Sequence, residues 1–326
     1  MEFQLPIQID PLPIPFSYKD RILLIGSCFT EHIGNRLTEF KFETLQNPNG
    51  ILFDPYSVSG SLVSYIRNKE YTANDLVYLN ELWQSWQHHS SFSDIDREKA
   101  LDNINSSIRE AHEFLKNAKW LVITFGTSFS YQLVENELPV ANCHRAPSAL
   151  FRKHLMSIEE IKSVLDNCFH QLFHFNPNLQ ILLTVSPVRH VRDGVVDNNR
   201  SKARLIETVH HFVSKFNRLY YFPAYELVTD VLRDYRFYDA DMVHPNYQAT
   251  SFVLEQFGKY CIDEGSQKIM EEVQKIITAY KHRPFQPETS AHKQFLQNNL
   301  HKTLDLQKRF PFLKFEKEIA YFSDLG

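Results

Sequence analysis

Three apolar runs, each stopped by a small residue, constrain this chain most. They are Ile22–Ile25 before Gly26, Trp120–Phe125 before Gly126, and Leu179–Val185 before Ser186. Each is continuous rather than alternating and too short for a core helix, which is how a strand buried on both faces reads. Between them lie stripes with helical spacing, such as Ala100, Ile104, Ile108, Ala111 and Leu115. Strands that alternate with amphipathic helices predict parallel pairing through right-handed crossovers. The expected fold class is α/β: a three-layer α/β/α sandwich around a mostly parallel sheet of about five strands. Ligand crevices in such sheets lie at the carboxyl ends of the strands. The turns at Gly26, Gly126 and Ser186 are therefore expected on one edge.

Shorter strands are expected at Phe40–Leu45 and Leu219–Phe222. Helices are expected after Thr30, over Ala203–Phe216 and Ala224–Leu232, and through Tyr247–Phe257. Ser157 with Glu160 reads as a capping box opening another. Trp83–His89 fits neither period and is read as an aromatic loop packing a rim. Pro6, Pro11, Pro13 and Pro15 make residues 1–19 an extended strap. Residues 20–264 form the α/β domain. Residues 265–326, broken at Arg283–Pro287, form a helical C-terminal appendage expected to be separable from it. Three roles stay open for the appendage: a cleft cover, a dimer contact, or packing on the sheet.

Composition narrows the function classes. The formal charge of −4 gives no drive toward nucleic acid or anionic membrane. The four cysteines, Cys28, Cys143, Cys168 and Cys261, lie far apart, which suits a reducing compartment better than a disulfide scaffold. Neither a signal-peptide pattern nor a transmembrane run is present in the sequence, so a cytoplasmic location is expected. There is no Gly-x-Gly-x-x-Gly and no P-loop, and no cofactor is expected. Cys28, Cys143, His144 and His244 lack zinc-site spacing, and no metal is expected.

Chemistry concentrates at two places. In Gly26-Ser27-Cys28-Phe29-Thr30, two nucleophile-capable residues stand between a strand and a helix whose N-terminus favours a thiolate. In Asp241-Met242-Val243-His244, the spacing lets the carboxylate hold one imidazole nitrogen and leaves the other as a base. Gly26-Ser27-Cys28-Phe29-Thr30 resembles the name-giving motif of the GSCFA-domain family, which belongs with the SGNH (GDSL-type) hydrolases. Their first block reads Gly-Asp-Ser-x-Thr and their last carries Asp-x-x-His. Gly26 and Thr30 match the first block, with Ser27 in the Asp place and Cys28 in the place of the nucleophilic Ser. Asp241 and His244 match the last. The resemblance implies an esterase, thioesterase or acyltransferase acting on an ester or thioester, with Cys28 as nucleophile, His244 as base, Asp241 as orienter and Ser27 as second candidate nucleophile. It also implies oxyanion or substrate-binding roles for Gly50, Gly126 and Ser128, the last standing where the hydrolases have Asn. Asn142-Cys143-His144-Arg145 resembles a further GSCFA segment, which makes Asn142 and His144 candidates too, and Arg189 is a candidate anion clamp. The expected partner is a small-molecule or acylated substrate, and a homo-oligomer stays open. The competing expectation is a catalytically silent SGNH-like domain that binds a carbohydrate, an acylated ligand or a partner protein.

Overall fold

A computed structural model describes residues 5–324. Five parallel strands form its centre: β1 (Arg21–Gly26), β2 (Glu43–Gln46), β3 (Trp120–Phe125), β4 (Gln180–Val185) and β5 (Leu219–Tyr221). Their order is β5-β4-β3-β1-β2. Gly26 stands beside Thr124, and Phe125 beside Val185, so the three central strands end level with one another. The order reverses direction next to β1, which makes the carboxyl end of β1 the switch point of the sheet.

Side chains alternate across the sheet with period two. Ile22, Leu24, Val122 and Leu182 face one layer, while Leu23, Ile25, Leu121, Ile123 and Leu183 face the other. The first layer contains α1 (Cys28–Glu39), α6 (Tyr247–Cys261) and α7 (Glu264–Lys281). The second contains α2 (Pro55–Ile66), α3 (Arg97–Asn117), α4 (Ile158–Phe175) and α5 (Val195–Lys215). Asp54, Asp96 and Ser157 each accept backbone N–H groups at the starts of α2, α3 and α4, and Ser157 with Glu160 closes the expected capping box.

The details depart from the periodicity in several places. Helix α1 begins at Cys28, two residues before Thr30. Trp83 lies in a short hairpin, Val77–Leu79 with Leu82–Gln84. Residues 129–155 fold into a separate antiparallel sheet centred on Phe129–Leu133. Ala224–Leu232 is one helical turn followed by a wide π turn at Leu227–Leu232. Its Val228, Thr229 and Val231 have branched side chains that crowd a regular α turn. Among the described residues, no helix is long and apolar enough to cross a membrane.

The chain ends are built into the first layer. From the strap, Phe16 stacks on Trp120 at 4.3 Å and bridges to Ile262. Residues 1–4 of the expected strap lie outside the described residues. Beyond α7, α8 (Ser290–Arg309) and α9 (Glu316–Ser323) complete the layer. Leu313, Phe315 and Phe322 are fully buried in the same cluster as Phe40 and Phe42. Lys41 reaches Glu318 at 2.6 Å with both side chains largely covered. Breaking such a pair from one side leaves an uncompensated charge. This continuity ties the C-terminal helices to the rest of the core. Phe322→Ala is expected to lower unfolding stability by about 3–5 kcal/mol, and truncation after Glu264 to lower the urea midpoint further. An unchanged midpoint in the truncated protein would show a separable appendage.

Candidate active site

Gly26 closes β1 at φ +139°, and a Cβ there would stand 2.2 Å from the carbonyl oxygen of Thr124. Only glycine permits this approach. Ser27 follows as the N-cap of α1 and is fully buried, its Oγ without a hydrogen-bond partner among the described residues. Cys28 is the first helical residue and is only partly buried. Burial pushes its thiol up, and Glu31 adds to this. Lys202 and the backbone N–H groups of Phe29 and Cys28 pull in the opposite direction.

Asp241 and His244 sit in the loop before α6. Asp241 Oδ2 meets His244 Nδ1 at 2.7 Å, and its Oδ1 accepts the N–H groups of Val243 and His244 at 2.8 and 3.0 Å. The imidazole first, then these two amides, hold the exposed carboxyl down at about 2. The loop is tied to the sheet edge because the Arg189 N–H, four residues beyond β4, donates to the Val243 carbonyl. The Arg189 guanidinium lies 4.2 Å from the Tyr238 ring centroid.

His32 on α1 feels the charges of this loop. It is one turn beyond Cys28, on the same face of α1. Burial holds its imidazole below the ordinary histidine value. Glu31 and Asp239 oppose that shift, and His244 adds to it. No hydrogen bond joins Cys28 to His244 among the described residues. His32 also lines a cavity of about 1220 Å³ between α1, α6 and α7, with Arg36, Tyr247, Leu254, Met270 and Gln274.

The other expected site residues are occupied elsewhere. Gly50, at φ +79°, donates its N–H to the Asn47 carbonyl and lies against His89. Gly126 donates to the Phe53 carbonyl at 2.8 Å. Ser128 is fully buried, and both its N–H and its hydroxyl bond to Ser201. Asn142 uses its side-chain oxygen to accept the His144 N–H. The His144 ring is fixed at both nitrogens, by the Ser85 carbonyl and the Ser90 hydroxyl. In this arrangement the N–H groups of Gly50, Gly126 and Ser128 and both ring nitrogens of His144 already have protein partners.

The sequence profile of the GSCFA family matches residues 21–257, and that of the GSCFA domain protein C-terminal domain matches residues 273–325. The chain belongs to the GSCFA family. No curated protein matches its sequence. A solved acetyl xylan esterase, Est2A from the rumen bacterium Butyrivibrio proteoclasticus, has 11% identity over 76% of this chain and 64% of that chain, with a TM-score of 0.35. This chain thus spans less than two thirds of the esterase's length.

Three residues of this GSCFA chain were not legible from its motifs. His190 has a buried Nε2 without a partner among the described residues, and that atom lies 3.2 Å from where a Gly126 Cβ would stand. Ser27 Cβ flanks the same point at 3.2 Å. Asn47 accepts the Gly26 N–H, and its own amide nitrogen is buried and unpaired among the described residues. Lys202, fully enclosed, donates to the carbonyls of Gly126 and Ser186 at 2.6 Å each. A repeated polar stripe on α5, Asn198, Ser201 and Lys202, was the available signal, since it continues the buried Leu205, Val209 and Phe212.

His190 supplies a test by pH. Burial first, then the Lys202 cation, hold it down to about 4. The unfolded chain takes its proton near pH 6.5. Stability from the neutral ring is therefore complete above pH 6.5 and is lost as pH falls toward 4. Ring nitrogen NMR should show neutral His190 at pH 5.5. Titration near 6.5 in the folded protein would contradict the enclosed position.

Proposed function

We propose that this GSCFA protein is an acyl-transfer enzyme, an esterase, thioesterase or acyltransferase, that works through Cys28, His244 and Asp241. The observation that carries the reading is the 2.7 Å Asp241–His244 bond, locked by two backbone N–H groups, on a loop anchored at the edge where Cys28 opens α1. A carboxylate on Nδ1 fixes the tautomer and leaves Nε2 as the base. The match of both motifs to the SGNH end blocks supports the same roles.

In this mechanism His244 takes the Cys28 proton, and the thiolate attacks the acyl carbon. A C–S bond forms, the bond to the leaving group breaks, and His244 returns the proton to the leaving group. Water or an acceptor hydroxyl then attacks the thioester, with His244 again as base, and the thiol is restored. The Cys28 and Phe29 N–H groups at the start of α1 serve as oxyanion donors, and the Asn47 amide nitrogen, without a partner among the described residues, is a third. The cavity that begins at His32 accommodates the remainder of the substrate. Ser27, enclosed against Gly126, is the weaker nucleophile because a substrate reaches Cys28 first.

An activated acyl ester should therefore label Cys28, with the site read by peptide mass spectrometry. Cys28→Ala should abolish the adduct, and Ser27→Ala should leave it largely intact. His244→Ala should slow labelling by about 10²–10⁴-fold. An adduct on Ser27 would reverse the nucleophile assignment. No adduct with any acyl probe would instead favour a silent binding domain.

A further inference from the structure

A fully buried lysine without a carboxylate partner requires a reason, because enclosing an ammonium is costly unless something balances its charge. Among the described residues, Lys202 has no salt-bridge partner. It has two hydrogen bonds, to the Gly126 carbonyl just beyond β3 and to the Ser186 carbonyl just beyond β4. These carbonyls hold two of its three N–H donors and fix the amino group beneath the central strand ends. The turn that carries Cys28 abuts the same place, since Ser27 Cβ flanks the open side of Gly126.

We infer that Lys202 is a positioning residue whose ammonium, clamped between the two strand ends, is the counter-charge for a Cys28 thiolate. It moves no proton in this role. The thiol proton leaves for His244, and Lys202 stays protonated while its field holds the negative sulfur. The inference rests on Cys28 being the reactive group, but not on the acyl chemistry proposed for it.

The mutual effects have the required sign, while burial leaves the Cys28 thiol above its ordinary value on balance. Burial pulls Lys202 down to about 7, and Cys28 is the group that pushes it back up. Reciprocally, Lys202 lowers Cys28. The other groups around the pair are Glu31 on α1, which opposes the thiolate, His190 after β4, which feels the lysine, and Tyr225, whose ring centroid is 5.9 Å from Lys202 Nζ. The sign follows: the counter-charge acts below the lysine's pKa, and the thiolate itself extends that range upward.

The test is the pH profile of Cys28 alkylation by iodoacetamide, read by peptide mass spectrometry, in the full chain and in Lys202→Met and Lys202→Gln. A lysine that only braced two carbonyls would alter stability and leave this profile in place. With folding confirmed by circular dichroism, both variants should alkylate about tenfold or more slowly at pH 7, with the profile moved up by about one unit or more. Wild-type rates and midpoints in the folded variants would overturn the inference. Should neither variant fold, Lys202→Arg, which keeps its cation across the whole range, decides: a Cys28 profile moved down from the unmodified protein's supports the pair, and an unchanged one refutes it. Alkylation is independent of acyl turnover, so a shifted profile with no acyl adduct would retain Lys202's role and remove only the acyl reading.

Discussion

The contact on which the site depends is the approach of Gly26 to the carbonyl of Thr124. β1 and β3 run side by side to their ends, and the chain must then leave the sheet without room for a side chain. A Cβ at Gly26 would meet the neighbouring strand's carbonyl oxygen at 2.2 Å. The positive φ that glycine allows turns Ser27 inward and starts α1 one residue later, at Cys28. One backbone constraint thereby decides which of two adjacent nucleophile-capable residues is enclosed and which is presented.

Helix α5 builds the floor beneath that turn. Its first two turns place three polar residues where a core helix would ordinarily place leucines. Asn198 accepts the His190 N–H, Ser201 holds Ser128, and Lys202 joins Gly126 to Ser186. Farther along, Leu205, Val209 and Phe212 continue the stripe as ordinary apolar core. The change from polar to apolar along one face tracks depth: the polar end meets the loops at the strand ends, and the apolar end lies over the sheet. Buried polar groups are tolerated when each is satisfied, and here each satisfies a carbonyl or amide that the ends of parallel strands leave unmatched.

The fold was legible because it depends on patterns that a single sequence displays. Fully apolar runs, glycine stops and helical stripes fixed the parallel sheet and which strand ends would meet. The edges of the fold were less legible. The antiparallel sheet over residues 129–155 uses strands that alternate weakly and carry exposed charge, as in Arg152 and Lys153. The Asp241–His244 hydrogen bond was readable because it is local, three residues apart. His190, Asn47 and Lys202 were not, because each gains its meaning from a distant backbone group. For the same reason the sequence named Ser128 and His144 as candidates without showing their local bonds. Sequence shows a donor but not the Ser201 or Ser85 that already occupies it.

The N-terminus of α1 lacks a side-chain cap. Ser27 stands at the N-cap, where a serine side chain ordinarily accepts a first-turn N–H, yet it makes no capping bond. Forgoing that bond costs about 1 kcal/mol of helix stability. A cap would have taken the N–H of Phe29 or Thr30; the Phe29 and Cys28 N–H groups instead lie against the Cys28 sulfur and oppose the upward push of burial on its thiol. A capped helix would have spent part of that local field on its own serine. Uncapped, the first turn directs its positive end at the Cys28 sulfur. Ser27 is instead turned in beside Gly126, fully buried, with its Oγ unpaired among the described residues.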